Sequence, residues 1–342
     1  MFTLAWLAYD GESSTDPDTV MEALTADLET VKPLGGDWEL VWGPTLFKFW
    51  VSELDDNMWY VVRNTVTGEY AIGIRGTNFE ALLDWIVEDF WITSQVAWPY
   101  GDVIGSNPMI ARGTAFAIDK LLSVTPAAGI PGEGQSLTQF LATEAAAGAI
   151  TINVTGHSLG GCLSSTLALA LQDTQDDWNP AGDATIQCWS FAGPTAGNSD
   201  FASYTDAEIG DVLHRWVNTL DVAPLAWNES TLDDALTIYA SYEILPTWAE
   251  IAALGFAKLL AAGGDYLQPS CGAVTKSGSF NITPGHQSYA TQAAWQHSYG
   301  YAAILGLSNV LPSRASATMT PERIAARLRA MQAGAASRAT QP

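Results

Sequence analysis

The stretch "ITINVTGHSLGGCLSS", residues 150–165, passes from a short apolar run through three glycines into a second apolar run. The β-branched residues of the first run predict a strand, and "CLSSTLALALQD" after the glycines predicts an apolar helix. Between them, Gly156-His157-Ser158-Leu159-Gly160 matches G-x-S-x-G, the pattern of a sharp strand-to-helix turn that presents a serine hydroxyl. The stretch therefore predicts an α/β fold with Ser158 as a nucleophile.

The neighbours of Ser158 fit this interpretation. Side chains two positions before and after a serine on so sharp a turn would clash, which explains Gly156 and Gly160. Ser158 would stand at the N-terminus of a helix, whose dipole favours the anion that forms during attack. The N–H of Leu159 would point to the same place and supply one donor of an oxyanion hole.

The composition is that of a globular protein with an acidic surface. The 342 residues are 48% hydrophobic and 15% charged, enough for one large α/β domain. A formal net charge of −23 repels nucleic acid and anionic membranes, so we expect no nucleic-acid partner. Three scattered cysteines suit neither a disulfide framework nor a zinc site, and each is expected to be a small buried residue.

The start of the chain, "MFTLAWLAYDGE", lacks the positive region of a secretory signal and predicts a first helix or strand on the core. No stretch of eighteen uncharged apolar residues predicts a transmembrane segment. We therefore expect a cytoplasmic location, with export by a route that needs no cleaved signal as the alternative.

Strands and helices alternate along the chain. Residues 58–63 and 69–75 predict a hairpin turning at Gly68. The sequence predicts further strands at 38–51, 150–155, 184–193 and 212–219, and helices at 76–91, 111–124, 137–149 and 162–173. Alternation of this kind is typical of an α/β protein with a mostly parallel central sheet and helices on both faces.

We predict a single α/β-hydrolase domain over residues 1–310, with a lid or cap-like insertion at about 228–290. Residues 311–342 predict a C-terminal helix and a flexible basic tail. The helix is indicated by Thr320 as its N-cap and by Gly334 just past its end.

The insertion contains an apolar helix in residues 245–264, where Glu250 and Lys258 are the only charged residues. A helix that is apolar almost all round is expected to be a buried packing helix. The alternative is a cap over a pocket for an apolar substrate.

A serine nucleophile needs a general base, and the chain offers four histidines. The turn would direct His157 away from the hydroxyl of Ser158, and His214 lies within an apolar strand. His297, just before an apolar helix-like segment, is the favoured base, and His286 in a Pro/Gly loop is the alternative.

Asp221 is the favoured carboxylate to orient that base. It follows the strand "VLHRWVNT" at its carboxyl end, where α/β sheets build their sites. The order Ser158, Asp221, His297 is the order of an α/β-hydrolase triad. A surface turn is the alternative role for Asp221.

The second oxyanion donor is expected in a loop after an earlier strand. In "IGIRGTNF", Gly76 permits close backbone approach, and Thr77 offers an N–H and a hydroxyl. Arg75 is expected to hold this loop through ion pairs. A plain turn is the alternative interpretation.

Several stretches, taken together, resemble the fungal-type class 3 lipases over about residues 60–305. They are "IRGTNFEALLDWIVEDF", "VTGHSLGGCLSSTLAL", "SFAGPTAGNSDFASY", "RWVNTLDVAPLAW" and "QHSYGY", in the order of the family. The resemblance implies a triad of Ser158, Asp221 and His297, with oxyanion donors at Thr77 and Leu159. It also implies carboxylic ester hydrolysis without a metal or other cofactor.

The aromatic residues of the implied lid, among them Phe79, Trp85, Phe90, Trp91 and Trp98, would cover or line an acyl pocket or else belong to the core. The expected activity is that of a triacylglycerol lipase or carboxylesterase acting through an acyl-enzyme. A phospholipase A1 or acyltransferase with the same triad is one alternative, and a non-catalytic lipid- or partner-binding protein is another. A lipid substrate would bring transient contact with a lipid interface, and the sequence predicts no oligomeric state.

Overall fold

The structure, a computed structural model, describes residues 1–12, 14–47, 57–76 and 91–312. The helices in these residues are α1 Phe2–Leu7, α2 Pro17–Thr30, α3 Arg112–Ser123, α4 Leu137–Ala146, α5 Leu159–Asp173, α6 Gln175–Trp178, α7 Ser199–Ile209, α8 Glu229–Ala235, α9 Trp248–Ala261, α10 Tyr289–His297 and α11 Tyr299–Ile304. Short 3₁₀ turns occupy Lys32–Leu34, Ala223–Leu225 and Ala240–Tyr242. The strands are β1 Trp38–Phe47, β2 Asn57–Asn64, β3 Tyr70–Ile74, β4 Gln95–Ala97, β5 Met109–Ala111, β6 Thr151–His157, β7 Thr185–Phe191, β8 Leu213–Asn218 and β9 Ala273–Lys276.

The central sheet has the order β1-β2-β3-β6-β7-β8-β9, and β4 pairs with β5 in a separate ribbon. The pairs β1–β2 and β2–β3 are antiparallel, and every later pair in the central sheet is parallel. The carboxyl ends of β3 and β6 to β9 therefore meet at one edge. This arrangement confirms the predicted α/β fold with a mostly parallel sheet.

Both faces of the central sheet are covered by other parts of the chain. Alternate side chains of the central strands point to opposite faces and pack on different elements. On one side of β6, Ile152 and Val154 belong to the large core that includes the apolar residues of α5. On the other side, the hydroxyl of Thr155 donates to the carbonyl of Met1, where α1 lies against the sheet. The predicted first element is thus a helix that packs on the core.

Several predicted elements are confirmed with small changes at their ends. The hairpin between β2 and β3 turns through Gly68, whose φ is 78°. Helices α3 and α4 lie where helical patterns predict them, and β1 covers most of the predicted strand 38–51. The predicted helix at 76–91 falls almost wholly outside the described residues, as does the predicted C-terminal helix, and the division at residues 310 and 311 stays a prediction.

Segment 228–290 differs from its prediction in two ways. Residues 273–276 form β9, which extends the central sheet beside β8 and is no part of a cap. Helix α9 buries only one face, and its Trp248 is 71% exposed, so the prediction of a buried packing helix is wrong for the other face. None of the helices in the described ranges is long and apolar enough to cross a bilayer.

The cysteines also differ from one another. Cys162 and Cys188 are buried as predicted, and burial raises the pKa of each thiol to about 12. Cys271 is exposed, so the prediction that all three are buried is wrong for this residue. Its loop is held at the surface by Asp206, whose carboxylate accepts from the backbone N–H groups of Ser270 and Cys271.

Candidate active site

Ser158 occupies a strained turn between β6 and α5. Its φ of 64° and ψ of −127° lie in a region that non-glycine residues rarely adopt, at a cost of about 1–3 kcal/mol. A Cβ atom at Gly156 would meet the carbonyl of Gly160, and one at Gly160 would meet the carbonyl of Ile74. The steric explanation of both glycines is confirmed. The Ser158 N–H donates to the carbonyl of Phe191, which anchors the turn to β7.

His297 lies between the hydroxyl of Ser158 and the carboxylate of Asp221. Its Nε2 is 2.8 Å from Ser158 Oγ, and its Nδ1 is 3.0 and 3.1 Å from the two carboxylate oxygens of Asp221. All three side chains are buried. Because a carboxylate only accepts hydrogen bonds, Nδ1 carries the proton and Nε2 accepts from the serine hydroxyl. The arrangement is that of a Ser-His-Asp triad.

The carboxylate of Asp221 has two further partners that hold it in place. The N–H of Ala223 donates to Oδ1 at 3.0 Å, and the hydroxyl of Tyr301 donates to Oδ2 at 2.9 Å. Burial, followed by the nearby charge of Asp221, raises the pKa of Tyr301 well above its ordinary value, so this hydroxyl stays a donor. It also accepts from the N–H of Asn218 at 3.1 Å. Sequence reasoning missed Tyr301, although it stands in the quoted stretch "QHSYGY".

The ends of β8 and α10 are joined beside the triad. The side-chain amide of Asn218 donates to both the backbone carbonyl and the side-chain oxygen of Gln296, each at 2.9 Å. These bonds fix the helix end that carries His297 against the strand that leads to Asp221. Neither amide was predicted to take part in the site.

His157 supports the backbone of His297. Its Nε2 lies 2.6 Å from the carbonyl oxygen of His297, which can only accept, so Nε2 carries the proton. The hydroxyl of Tyr9 lies 3.2 Å from Nδ1, on the side of the N-terminal segment. Burial, followed by the proximity of His297, lowers the pKa of His157 well below its ordinary value, so its ring is neutral. This placement agrees with the prediction that His157 is not the base.

The other two histidines lie away from the hydroxyl of Ser158. His214 stacks on Trp189 with ring centroids 4.2 Å apart, as expected of a packed histidine on a strand. His286 lies in the loop before α10, where its carbonyl accepts from the amide of Gln292. Of the two candidate bases, the fold therefore brings His297 to the serine.

The oxyanion region is described in part. Leu159 is the first residue of α5, so its N–H belongs to the first turn, whose amides have no partner within the helix. A Cβ at Gly76 would meet the carbonyl of His157 and the hydroxyl of Tyr9, so this glycine allows the close approach that was predicted. Among the predicted oxyanion and lid residues, those outside the described ranges are Thr77, Phe79, Trp85 and Phe90.

Arg75 and Trp98 have structural partners. The buried guanidinium of Arg75 donates to the carbonyls of Ala8 at 2.8 Å and Asp10 at 2.9 Å, and so ties the N-terminal segment to the end of β3. Arg75 was predicted to hold its loop through ion pairs, and these hydrogen bonds to backbone carbonyls give it a holding role at the end of β3. Trp98 is buried, and its indole N–H donates to Asp173 at 2.6 Å, which places it in the core.

Comparison with known proteins agrees with this geometry. The family model of Lipase (class 3) matches residues 71–230. The crystal structure of M37 lipase is 35% identical to this chain, covers 91% of it and 94% of its own chain, and has a TM-score of 0.85. The chain belongs to the class 3 lipase family. As a class 3 lipase it is a carboxylic ester hydrolase of the α/β-hydrolase fold.

More distant lipases are also similar to this class 3 lipase. Lipase II from Rhizopus niveus is 20% identical, covers 67% of this chain and 73% of its own, and has a TM-score of 0.43. The lipase from Rhizopus microsporus var. chinensis is 19% identical, covers 67% of each chain, and has the same TM-score. No curated protein matches the sequence.

Proposed function

We propose that Ser158 is the nucleophile, His297 the general base and then acid, and Asp221 the orienting carboxylate in the hydrolysis of uncharged lipid esters. The observation that carries this proposal is the unbroken hydrogen-bonded relay from Ser158 Oγ through both ring nitrogens of His297 to Asp221. Burial of all three side chains supports it, since exclusion of water strengthens charge stabilisation within the relay.

In the first half of the reaction, Ser158 Oγ attacks the carbonyl carbon of the ester and its proton passes to Nε2 of His297. The imidazolium that forms is stabilised by Asp221 through Nδ1–H. When the tetrahedral intermediate collapses, His297 returns the proton to the departing alcohol oxygen, and the acyl group stays on Ser158.

In the second half, His297 takes a proton from water as the water oxygen attacks the acyl-enzyme. Collapse of this second intermediate returns a proton to Ser158 Oγ and releases the carboxylic acid. Each half therefore needs a donor for the oxyanion. We assign one to the N–H of Leu159 and a second to Thr77, where the loss of one donor is worth about 3–4 kcal/mol of activation free energy.

The proposed substrate is a triacylglycerol or another uncharged carboxylic ester. A net charge of −23 opposes approach to an anionic phospholipid surface, whereas an uncharged ester aggregate carries no such penalty. A phospholipase A1 or acyltransferase would use the same triad with a different acyl donor or acceptor. The complete relay argues against a protein that only binds lipid.

The test is a series of esters assayed with wild-type protein and the Ser158→Ala variant. It should include p-nitrophenyl esters of increasing chain length, triacylglycerols and zwitterionic and anionic phospholipids. The proposal predicts hydrolysis of uncharged esters in wild type and its loss in Ser158→Ala. Turnover of phospholipid alone, or release of acyl groups to an alcohol acceptor in preference to water, would favour the alternatives.

A further inference from the structure

Exposed apolar side chains are concentrated on helix α9 and the turn before it. The described part of the chain exposes nine large hydrophobic side chains, and five of them lie within residues 242–259. Tyr242 stacks on Phe280 with ring centroids 4.1 Å apart. The other four form what we call the apolar stripe: Leu245, Trp248, Ile251 and Leu259.

Three members of the stripe lie on one face of the helix, and Leu245 lies just before its start. Residues 248, 251, 252, 255 and 259 share a side because they recur at helical spacing, and all five are exposed. Trp248 is 71% and Leu259 68% exposed, and none of the five residues is charged. The opposite face is buried and contains Ala249, Ala253, Leu254, Ala257 and Ala261. Core packing therefore uses one face and leaves the stripe outside.

The two charged residues of α9 both have partners on the body of the protein or in the helix cap. Glu250 is buried and closes a capping box, where its carboxylate accepts from the N–H of Thr247 at 2.6 Å. Lys258 pairs with Asp233 of α8 at 2.7 Å, and the N–H of Gly263 donates to Glu229 at 3.1 Å. The helix is thus fixed to the body, and its apolar face is presented on a preformed element.

Helix α9 lies at the edge of the sheet that carries the triad. It packs on α8, which follows the 3₁₀ turn after Asp221. The carbonyl of Gly264, just past its end, accepts from the amide of Gln95 at 2.7 Å, and Tyr266 donates to the carbonyl of Ile92 at 2.9 Å. Helix α9 therefore packs on the segment that follows Asp221, and the residues just past its end contact the segment that begins at residue 91.

Charge and area indicate what covers this stripe. Three exposed acidic residues, which we call the acidic flank, belong to the neighbouring segments: Glu229 and Asp234 lie on α8, on which α9 packs, and Glu243 lies two residues before Leu245. The net charge of the protein is −23. Four side chains of this kind present a few hundred Å² of apolar surface, short of the about 800 Å² per partner in a stable protein interface. A Trp at the head of an apolar helix face suits the boundary between water and lipid.

We propose that the apolar stripe docks the enzyme on the surface of an uncharged lipid ester aggregate. This inference rests on the proposed function, because the aggregate is the source of the ester substrate. The acidic flank selects droplets with an uncharged or zwitterionic surface over anionic ones. Contact through α9 would hold the edge of the sheet that carries Ser158 and Asp221 close to the lipid.

The test measures binding and turnover separately. Binding is measured in the Ser158→Ala background by flotation with triolein droplets coated with phosphatidylcholine, so that hydrolysis plays no part. The double variant Trp248→Ser/Leu259→Ser is compared with Val66→Ser, whose side chain is 74% exposed in the β2–β3 turn, at the opposite edge of the sheet from the triad.

The proposal predicts that the double variant lowers the droplet partition coefficient about tenfold or more, and that Val66→Ser changes it less than about twofold. Phosphatidylglycerol in the coat should weaken binding by the unsubstituted protein. With Ser158 restored, the double variant should cleave soluble p-nitrophenyl butyrate at the wild-type rate and emulsified trioctanoin more slowly. The rate on the soluble ester also reports that the variant is folded.

Equal partition of the double variant and the unsubstituted protein would overturn the proposal. A wild-type dimer that dissociates in the double variant would assign the stripe to a second copy of the chain. If the protein binds droplets only after residues 313–342 are removed, the stripe would instead be a docking site for those residues. If wild type cleaves no ester, the proposed function fails, and the flotation result still decides the role of the stripe.

Discussion

Replacing Tyr301 with phenylalanine removes the hydroxyl that donates to Asp221 and leaves the three triad side chains themselves unchanged. The hydroxyl donates to Asp221 Oδ2 at 2.9 Å and accepts from the Asn218 N–H at 3.1 Å. Phenylalanine fills the same volume, so the effect comes from these two hydrogen bonds. Because Tyr301 is buried beneath Asp221, the change leaves the substrate-facing atoms of Ser158 and His297 as they are.

The expected magnitudes follow from those two contacts. A hydrogen bond to a charged acceptor contributes about 1.5–3 kcal/mol, and an unsatisfied buried N–H costs about 1–3 kcal/mol. Together these contacts predict that Tyr301→Phe lowers the free energy of unfolding by about 2.5–6 kcal/mol, a large part of the total stability of an ordinary domain. Asp221 keeps its bonds to His297 and Ala223, so kcat should fall about tenfold, which is about 1.4 kcal/mol of activation free energy.

The assay is urea unfolding together with kcat and KM on soluble p-nitrophenyl butyrate. Tyr204→Phe is a matched control, because its hydroxyl donates to Asp173 at 3.0 Å in a half-buried site remote from the triad. The control should lose stability and keep its kcat. The reasoning is refuted if Tyr301→Phe keeps kcat within about twofold of wild type, or if Tyr204→Phe lowers kcat as much.

Three further predictions concern the elbow, its buried histidine and the thiols. Gly160→Ala should lower the free energy of unfolding by about 1–3 kcal/mol or more, because the new methyl group meets a β3 carbonyl; an unchanged urea midpoint would contradict this. Below pH 6.5 the unfolded chain protonates His157 and the native chain does not. The free energy of unfolding should therefore decrease as the pH is lowered, by up to about 1.4 kcal/mol per pH unit. Urea unfolding from about pH 8 to pH 5 should show a shallower decline for His157→Gln, and parallel profiles would refute the assignment. Ellman's reagent should modify Cys271 alone in native protein, since Cys162 and Cys188 are buried with raised pKa values; rapid reaction of a second thiol would contradict their burial.

The triad could be predicted because each member lies in a local pattern that the sequence displays. Ser158 stands between two glycines at a strand-to-helix change, and Asp221 follows an apolar strand. The position of His297 just before an apolar helix-like segment then favoured it over His286, which lies in a Pro/Gly loop. Each of these patterns reports the local backbone conformation around one residue. The structure shows the predicted turn at Ser158 and the predicted strand before Asp221.

The supporting contacts could not be predicted in the same way. Tyr301 lies 80 residues from Asp221 and His157 lies 140 from His297, so each bond depends on how the chain packs at long range. A buried tyrosine that donates to a carboxylate has no local pattern to distinguish it from any other core tyrosine.

Helix α9 shows a further limit of sequence patterns. A helix that is apolar all round predicts burial on every side, whereas here one face packs and the other is exposed. Strand β9 was missed because its four residues, "AVTK", are too short and too polar to predict a sheet strand. Only its pairing with β8 places it in the sheet.

The central claim is that Ser158 attacks the ester carbonyl and that His297 activates it. The most direct measurement is peptide mapping by mass spectrometry after reaction with a fluorophosphonate, in wild type and in His297→Ala. The account predicts a single adduct on Ser158 in wild type, and a labelling rate lower by about a thousandfold or more in His297→Ala. An adduct on a residue other than Ser158 in wild type, or an undiminished labelling rate in His297→Ala, would contradict it.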